Sequence, residues 1–454
     1  MSERPQHVVF MNFPATGHMN PTLVLVRELR DKKVPVTYFV AEQMREVVEA
    51  NGAQWRYMQD AKELSEEQLA KYVPPEARPE GTEFPCNLMI HAASAMPAMI
   101  EALQALEPPP SVIVYDPFLP LGYVAARYLQ IPSVATVTIT GPGVLDMPPV
   151  VRESWEKNLA VQRASDEIKA EYGIDVFEHA AFLEFYSQDL NVVTTVDSLF
   201  CPPKLEMQLQ RFGNVPFRCV GPLVNQKVHR ISNAEIKEQP MLPWDQIDSS
   251  KPLVFLSLGT VANSHFWTNK FGHQAMANGV QDLTGKEFIQ LVFRTAYEAF
   301  AQEDVFVVMA VGPKEDALEG MPEAPKNFLL QKSVPQLELL PKCQAFVTHG
   351  GANSMHEALG FGVPMAVVPI FGDQPSNAEA VAKANCGVSF KEPLKTLSPE
   401  SLREAVRQLI VPDSAFRASC AKLGEEVAQA GGAAKAAELV LAVGRAQTSK
   451  LGGA

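Results

Sequence analysis

Short apolar runs alternate with longer amphipathic stretches along nearly the whole chain, and glycine, proline and asparagine mark the joints between them. Residues 7–13 (HVVFMNF) form the first apolar run, which is too short for a helix and reads as a buried strand. Pro14 to His18 read as a turn. Asn20 followed by Pro21 is an N-cap with proline at the first helical position, which predicts a helix to about residue 30. A second strand over 35–40 and another helix follow. This strand–loop–helix–strand beat predicts a parallel sheet with helices on both faces. Residues 60–87 are polar and proline-bearing, a variable loop region ahead of a helix over 88–106. Val112-Ile113-Val114-Tyr115 is a strand ending at Asp116-Pro117. A helix carrying Gly122, Ala125 and Ala126 comes next, and Ile131-Pro132 opens another strand. Residues 141–190 mix charges with Trp155, Phe177, Phe182, Phe185 and Tyr186, most of which a core would absorb. Residues 191–195 are a further strand.

The beat resumes after 235–251 (EIKEQPMLPWDQIDSSK), a charged, proline-bearing stretch without periodicity that reads as a linker. A second sheet opens over 253–260. The helix expected after it is delayed to Thr284-Gly285-Lys286-Glu287, which has capping-box spacing, so about twenty residues over 261–283 read as an insertion. The insertion holds His265, Phe266, Trp267, Phe271 and His273. Strands are expected over 306–311 and 328–330, and helices over 399–410, 414–430 and 433–446. The pattern therefore predicts an α/β protein of two parallel-sheet units, 1–234 and 252–430, with 431–454 as a final helix.

Composition narrows the partners. The chain has 454 residues, too many for one typical domain and enough for roughly two or three. A net charge of −13 with no basic block argues against nucleic acid or acidic membranes as main partners. Cys86, Cys201, Cys219, Cys343, Cys386 and Cys420 have no metal-ligand spacing and read as free thiols of a reducing compartment. The start MSERPQ has no signal-peptide pattern and no apolar run is long enough to span a bilayer, so the expectation is a soluble, cytoplasmic protein without a membrane anchor.

The chemistry concentrates over 333–380. Ala345-Phe346-Val347-Thr348 is a short buried strand that runs into His349-Gly350-Gly351, and a helix opens near Asn353, a strong N-cap residue. Gly362 and Pro364 close that helix, and 365–370 is the next strand. A glycine pair between strand and helix lets backbone N–H groups approach an anion without steric cost. Asn353 and Glu357 share a helix face. An acid beside an anion site makes sense for a ligand that carries sugar hydroxyls next to phosphates, because a carboxylate accepts from a diol. Asp373-Gln374 adds polar groups at the carboxyl end of a parallel strand, where open α/β sheets bind ligands.

His349, Gly351, Asn353, Ser354, Glu357, Gly362, Pro364, Pro369, Asp373 and Gln374, at these spacings, resemble the nucleotide-sugar signature of family 1 glycosyltransferases, in the style of the bacterial macrolide and flavonoid enzymes. The resemblance implies two facing Rossmann-like doubly wound parallel-sheet domains, the GT-B architecture. The first domain would bind the acceptor, the second the nucleotide sugar, and the final helix would cross back to the first. It further implies that His349, Asn353 and Ser354 hold the diphosphate, Glu357 the ribose, and Asp373 and Gln374 the transferred sugar. Gly259 and Thr260 would face the donor phosphates, and Ser333, Val334 and Gln336 would also belong to the donor site. Many plant members have a tryptophan in the place of Ser333 that stacks on uracil. Serine cannot stack, which leaves UDP and dTDP both open and turns attention to the backbone around Val334 or to an aromatic of the 261–283 insertion acting as a lid.

Transfer to a hydroxyl needs a base. His18 titrates near neutrality, and a carboxylate on its second nitrogen would hold the tautomer and stabilise the cation. Asp116, at the end of a strand of the same sheet, can do this, and both match the family's His–Asp pair, within GHMNP and YDPFLPLGYVAARYLQIP. No Asp-x-Asp motif stands in a metal-binding context, and a helix start can stabilise the leaving diphosphate instead. The expectation is an inverting, metal-independent, cofactor-free transfer of glucose from UDP-glucose to a macrolide, flavonoid or other phenol, giving a β-glycoside, by a monomer or weak dimer. An epimerase of the same fold would not need the pair, and a non-catalytic nucleotide-sugar sensor would be favoured only if the pair were broken. A hydride-transferring enzyme is disfavoured because no Gly-x-Gly-x-x-Gly follows the first strand.

Overall fold

The structure is a computed structural model and describes residues 6–73, 84–145, 149–225, 230–231, 241–264, 266–272, 275 and 278–451. The chain divides into two compact units, one running to Arg230 and rejoined from Gly431 onward, the other Ile231–Ala430. Of the stretch read as a linker, 235–240 lie outside the described residues. Residues 241–251 belong to the second unit, where Lys342 Nζ sits 5.2 Å from the Trp244 ring centroid.

The first unit is one seven-stranded parallel sheet. Its strands are β1 (Val8–Met11), β2 (Val36–Val40), β3 (Gln54–Tyr57), β4 (Val112–Tyr115), β5 (Ser133–Val137), β6 (Leu190–Val193) and β7 (Phe217–Cys219), in the order β3-β2-β1-β4-β5-β6-β7. β1, β2, β4, β5 and β6 are buried at every residue, as strands covered by helices on both faces must be, and the edge strands β3 and β7 are the exposed ones. The final helix, Gly432–Leu451, packs on this unit: Gly432 N–H donates to Val220 O at 2.7 Å and Lys435 Nζ to Cys219 O at 2.9 Å.

Two local expectations change here. The first helix is Thr16–Asp31 and starts ahead of Asn20, because Ala15 O already accepts from His18 N–H and Met19 N–H, at 3.0 and 2.8 Å. Pro21 therefore lies inside the helix, where it removes an N–H, and the Asn12 side chain braces that turn by donating to the His18 carbonyl at 3.1 Å. The region read as a variable loop contains a helix, Glu66–Tyr72, with a capping box at Ser65, and the long helix after it, Phe84–Gln104, begins earlier than expected. Residues 74–83 of that region lie outside the described residues. Trp155 packs edge-on against Phe177, Phe182 and Phe185 with centroids 5.8, 5.4 and 6.4 Å away, so these aromatics form core.

The second unit is a six-stranded parallel sheet of β8 (Leu253–Ser257), β9 (Phe306–Ala310), β10 (Phe328–Gln331), β11 (Ala345–Thr348), β12 (Met365–Val367) and β13 (Gly387–Ser389), in the order β10-β9-β8-β11-β12-β13. The expected helix starts at the Thr284–Glu287 capping box and spans Gly285–Phe300. Of the insertion, His265 and His273 lie outside the described residues. Its Trp267 and Phe271 are buried, Trp267 Nε1 donating to Asp316 at 2.9 Å and Phe271 packing on Phe266, Phe288 and Phe371. Trp267 and Phe271 thus anchor the segment to the core, and the half-buried Phe266 packs on Phe271 and Phe371.

Candidate active site

In each sheet the strand order reverses once, between β1 and β4 in the first unit and between β8 and β11 in the second. At such a switch point the loops leaving neighbouring strands diverge and open a crevice at the carboxyl ends. The residues singled out from sequence collect at these two places.

At the first switch point His18 stands in the first turn of the helix after β1, and Asp116 directly follows β4, its N–H donating to Met11 O of β1 at 3.0 Å. His18 Nδ1 and Asp116 Oδ2 are 2.6 Å apart. A carboxylate at this distance accepts the Nδ1 proton, so the neutral imidazole keeps its lone pair on Nε2. Asp116 Oδ1 accepts from Phe118 N–H at 2.8 Å, which fixes the carboxylate plane. The Asp116 side chain is 1% exposed and that of His18 19%, so the carboxylate is inside and the imidazole partly open. Phe13 and Phe118 present ring edges or faces to the imidazole at 5.6 and 4.8 Å between centroids. Their part was not read from sequence, although both lie within a few residues of the pair.

At the second switch point Gly259-Thr260 follow β8 and His349-Gly350-Gly351 follow β11, with Ser257 and Thr348 paired across the strands. The His349 ring lies between two glycines. A Cβ on Gly259 would stand 2.6 Å from the ring, and one on Gly351 would stand 2.5 Å from it, so neither place admits a side chain. Gly259 also has φ of 75°. Burial pushes the His349 imidazole down to about 4, against a backbone hydrogen bond at Ser257 that acts the other way. His349 is thus neutral at physiological pH, and its one N–H is the group that donates to the Ser257 carbonyl.

The signature helix is Ala352–Gly360 with Gly351 as its N-cap, so Asn353 sits inside the first turn and not at the cap. The contact at this end comes from across the sheet: Asp373 Oδ2 accepts from Ala352 N–H at 3.3 Å, and the cap stands two residues ahead of Asn353. Asp373 Oδ2 also accepts from Asn377 Nδ2 at 2.6 Å, and Asn377 Nδ2 reaches Gly350 O at 2.9 Å. Asn377 was missed in the sequence, although its place one helical turn after Asp373 marks it. Gln336 Nε2 donates to Glu357 Oε2 at 2.7 Å and to Ser354 Oγ at 3.2 Å, which brings three of the expected donor residues together and aims the buried Glu357 carboxylate. Val334 is buried and Ser333 half-buried, immediately after β10. Gln374 departs from expectation. Its Oε1 accepts from Ile370 N–H at 2.8 Å and Phe371 N–H at 3.3 Å, so its carbonyl serves the turn.

Two parallel-sheet α/β units, each with its functional side chains at the switch point, define the GT-B class. Residues 295–442 match the family model for the erythromycin biosynthesis protein CIII-like C-terminal domain, and residues 6–130 match that for the glycosyltransferase N-terminal domain. The NDP-glycosyltransferase YjiC of Bacillus subtilis is 28% identical over 95% of this chain and 95% of its own. The crystal structure of the glycotransferase of kitacinnamycin shares the fold at a TM-score of 0.69, with 24% identity over 97% of this chain and 99% of that one. The spinosyn rhamnosyltransferase SpnG complexed with thymidine diphosphate does so at 0.61, with 16% identity over 95% and 98%. The chain belongs to the family 1 GT-B glycosyltransferases, of the macrolide and natural-product type. Among the described residues, no helix is long and apolar enough to cross a membrane.

Proposed function

We propose that this glycosyltransferase moves glucose, with inversion, from a nucleoside diphosphate sugar to a hydroxyl of a small lipophilic acceptor such as a macrolide, flavonoid or other phenol. The observation that carries this reading is the 2.6 Å bond between His18 Nδ1 and Asp116, which leaves Nε2 able to take a proton. As the acceptor oxygen attacks the anomeric carbon, its proton passes to His18 Nε2. The new C–O bond forms while the bond to the diphosphate breaks, and the nucleoside diphosphate leaves with the electron pair. Asp116 balances the imidazolium. An α-linked donor gives a β-glycoside. The Phe13 and Phe118 rings beside His18 favour an apolar acceptor body next to the reacting hydroxyl.

Leaving-group charge falls to the backbone N–H groups in the first turn of the Ala352–Gly360 helix. These donors supply the stabilisation that a divalent cation gives elsewhere, so we expect turnover without metal or cofactor, in the cytoplasm, by a monomer or weak dimer. Glu357, held by Gln336, suits a ribose diol. The base is read loosely: Ser333 cannot stack, and Trp267 and Phe271 are committed to the core. We therefore expect both UDP-glucose and dTDP-glucose to serve; the spinosyn enzyme, a structural relative, binds thymidine diphosphate.

The test is a screen of UDP-glucose, dTDP-glucose and UDP-galactose against macrolides, flavonoids and simple phenols, read by mass spectrometry. Glycosides are expected with all three donors, least efficiently with UDP-galactose. Epimerised donor without acceptor would favour the epimerase reading, and tight nucleotide binding with no product from any acceptor would favour the sensor.

A further inference from the structure

The insertion after β8 carries a side chain that belongs to neither the core nor the signature. Asn263 is 4% exposed, and its Nδ2 donates to the Gly259 carbonyl at 2.6 Å. The opposite orientation of the amide would set two carbonyl oxygens against each other at that distance, so the N–H end faces Gly259. The other end, Oδ1, is buried without a hydrogen-bond partner. It lies 2.6 Å from where a Cβ on Gly312 would stand, and Gly312 itself has φ of 89°. Gly312 follows β9, and its N–H donates to Lys332 O at 3.1 Å, one residue before Ser333 and Val334.

A continuous line of close contacts therefore runs from the end of β9, through Asn263, to Gly259 and the His349 ring. Purely structural side chains are seldom left with a buried acceptor unsatisfied, because an apolar group of the same size would be cheaper there. Together the short bond to Gly259, the missing Cβ on Gly312 and the orphaned Oδ1 are explained if the side chain is kept for what its N–H end does. We propose that Asn263 is a positioning residue for the donor diphosphate: it fixes the peptide of the Gly259-Thr260 turn, and thereby the surface that turn and His349 offer to the phosphates. Asn263 acts through Gly259 and not by touching the donor. This inference rests on the donor-site reading above and adds to it a determinant from the insertion.

Calorimetric binding of UDP against uridine, and of dTDP against thymidine, separates diphosphate recognition from base and sugar recognition. In the wild-type protein the diphosphates should bind tighter than the nucleosides. Asn263→Ala and the shape-conserving Asn263→Leu should both weaken UDP and dTDP by about tenfold, the size of a positioned hydrogen-bond network, and leave the nucleosides unchanged. Donor KM should rise with acceptor KM constant, and thermal stability should hold or increase because the orphaned carbonyl is gone. Retention of the diphosphate advantage in Asn263→Leu, or an equal loss for nucleoside and diphosphate, would overturn the inference while the donor site stands. A wild-type protein that binds uridine as tightly as UDP would remove the donor-site reading itself, and this inference with it.

Discussion

Each unit places a histidine beside the switch point of its sheet, and the two have opposite surroundings. His18 meets a carboxylate at 2.6 Å and is partly open to solvent. His349 is enclosed by backbone and two glycines, has no carboxylate beside it among the interactions described here, and is pushed down to about 4. The same side chain has a partner for its charged form where an anion stands beside it and is held neutral where none does. The difference lies in what the neighbouring strand delivers: Asp116 at the end of β4, but Gly259 at the end of β8.

The strongest way to break this contrast is at His18. His18→Ala should lower turnover roughly a hundred- to ten-thousandfold, the range of general-base contributions, with UDP affinity unchanged. Near wild-type turnover would end the assignment. Asp116→Asn should cost less than His18→Ala, because it removes orientation and charge balance but leaves the imidazole. Its rate-versus-pH profile should shift in a way that His18→Ala, which has no base left to titrate, cannot reproduce.

At the second switch point, Glu357→Ala should weaken UDP binding by about tenfold through loss of a well-placed hydrogen bond, and His349→Ala should weaken it by removing the ring packed between Gly259 and Gly351, neither changing acceptor KM. His349 also makes a pH prediction. Its folded value lies below its ordinary 6.5, so between about 4 and 6.5 the unfolded chain binds more protons than the folded one. Its contribution to stability is complete above the ordinary value and is lost as pH falls toward the folded one. His349→Gln should therefore flatten the acid side of the stability profile measured by denaturant titration. A profile as steep as wild type would show that His349 is not held neutral.

The smallest effect is expected at the sugar. Asp373 is already engaged by Ala352 and Asn377, and Gln374 has given its carbonyl to the turn. UDP-glucose should exceed UDP-galactose in specificity constant by only a few-fold, within the roughly 1–3 kcal/mol such contacts supply. A higher constant for the galactose donor would reject the part given to these two residues. Chelator should leave the rate unchanged, and strong dependence on added magnesium or manganese would reject the helix-terminus account of leaving-group stabilisation.

Much of both sites was legible because the signal was local. The strand before His349, the glycines after it, and the spacing from Asn353 to Glu357 each depend on residues a turn or two apart. The misreadings came where a group outside the recognised pattern intervenes, whether near in sequence or far. Asn20-Pro21 has the form of a helix start, yet the helix begins at Thr16 with the Asn12 side chain bracing the turn. Asn353 has the form of a cap, yet Asp373, from the next strand's end, accepts from Ala352 N–H and the helix begins ahead of it. Gln374 has the form of a two-way reader of hydroxyls, yet two backbone N–H groups take its carbonyl. The insertion's aromatics had the form of a lid, and burial against Phe288 and Phe371 commits Phe271 to the core.

The sequence by itself determined that there are two parallel α/β units, most of their buried strands and the chemical kinds of group available, because periodicity and turn chemistry are properties of neighbouring residues; the edge strands β3, β7 and β13, short and partly exposed, carry too weak a pattern to be read. Tertiary structure alone decided which of those groups meet. Asp116 lies 98 residues beyond His18, and Gln336 lies 21 residues before Glu357. Such partners are joined by strand order and register, and a hydrogen bond between them exists only once the sheet has chosen which strands lie side by side. The same choice set the surroundings of each histidine, since burial and a carboxylate at bonding distance are facts of packing that no local pattern records.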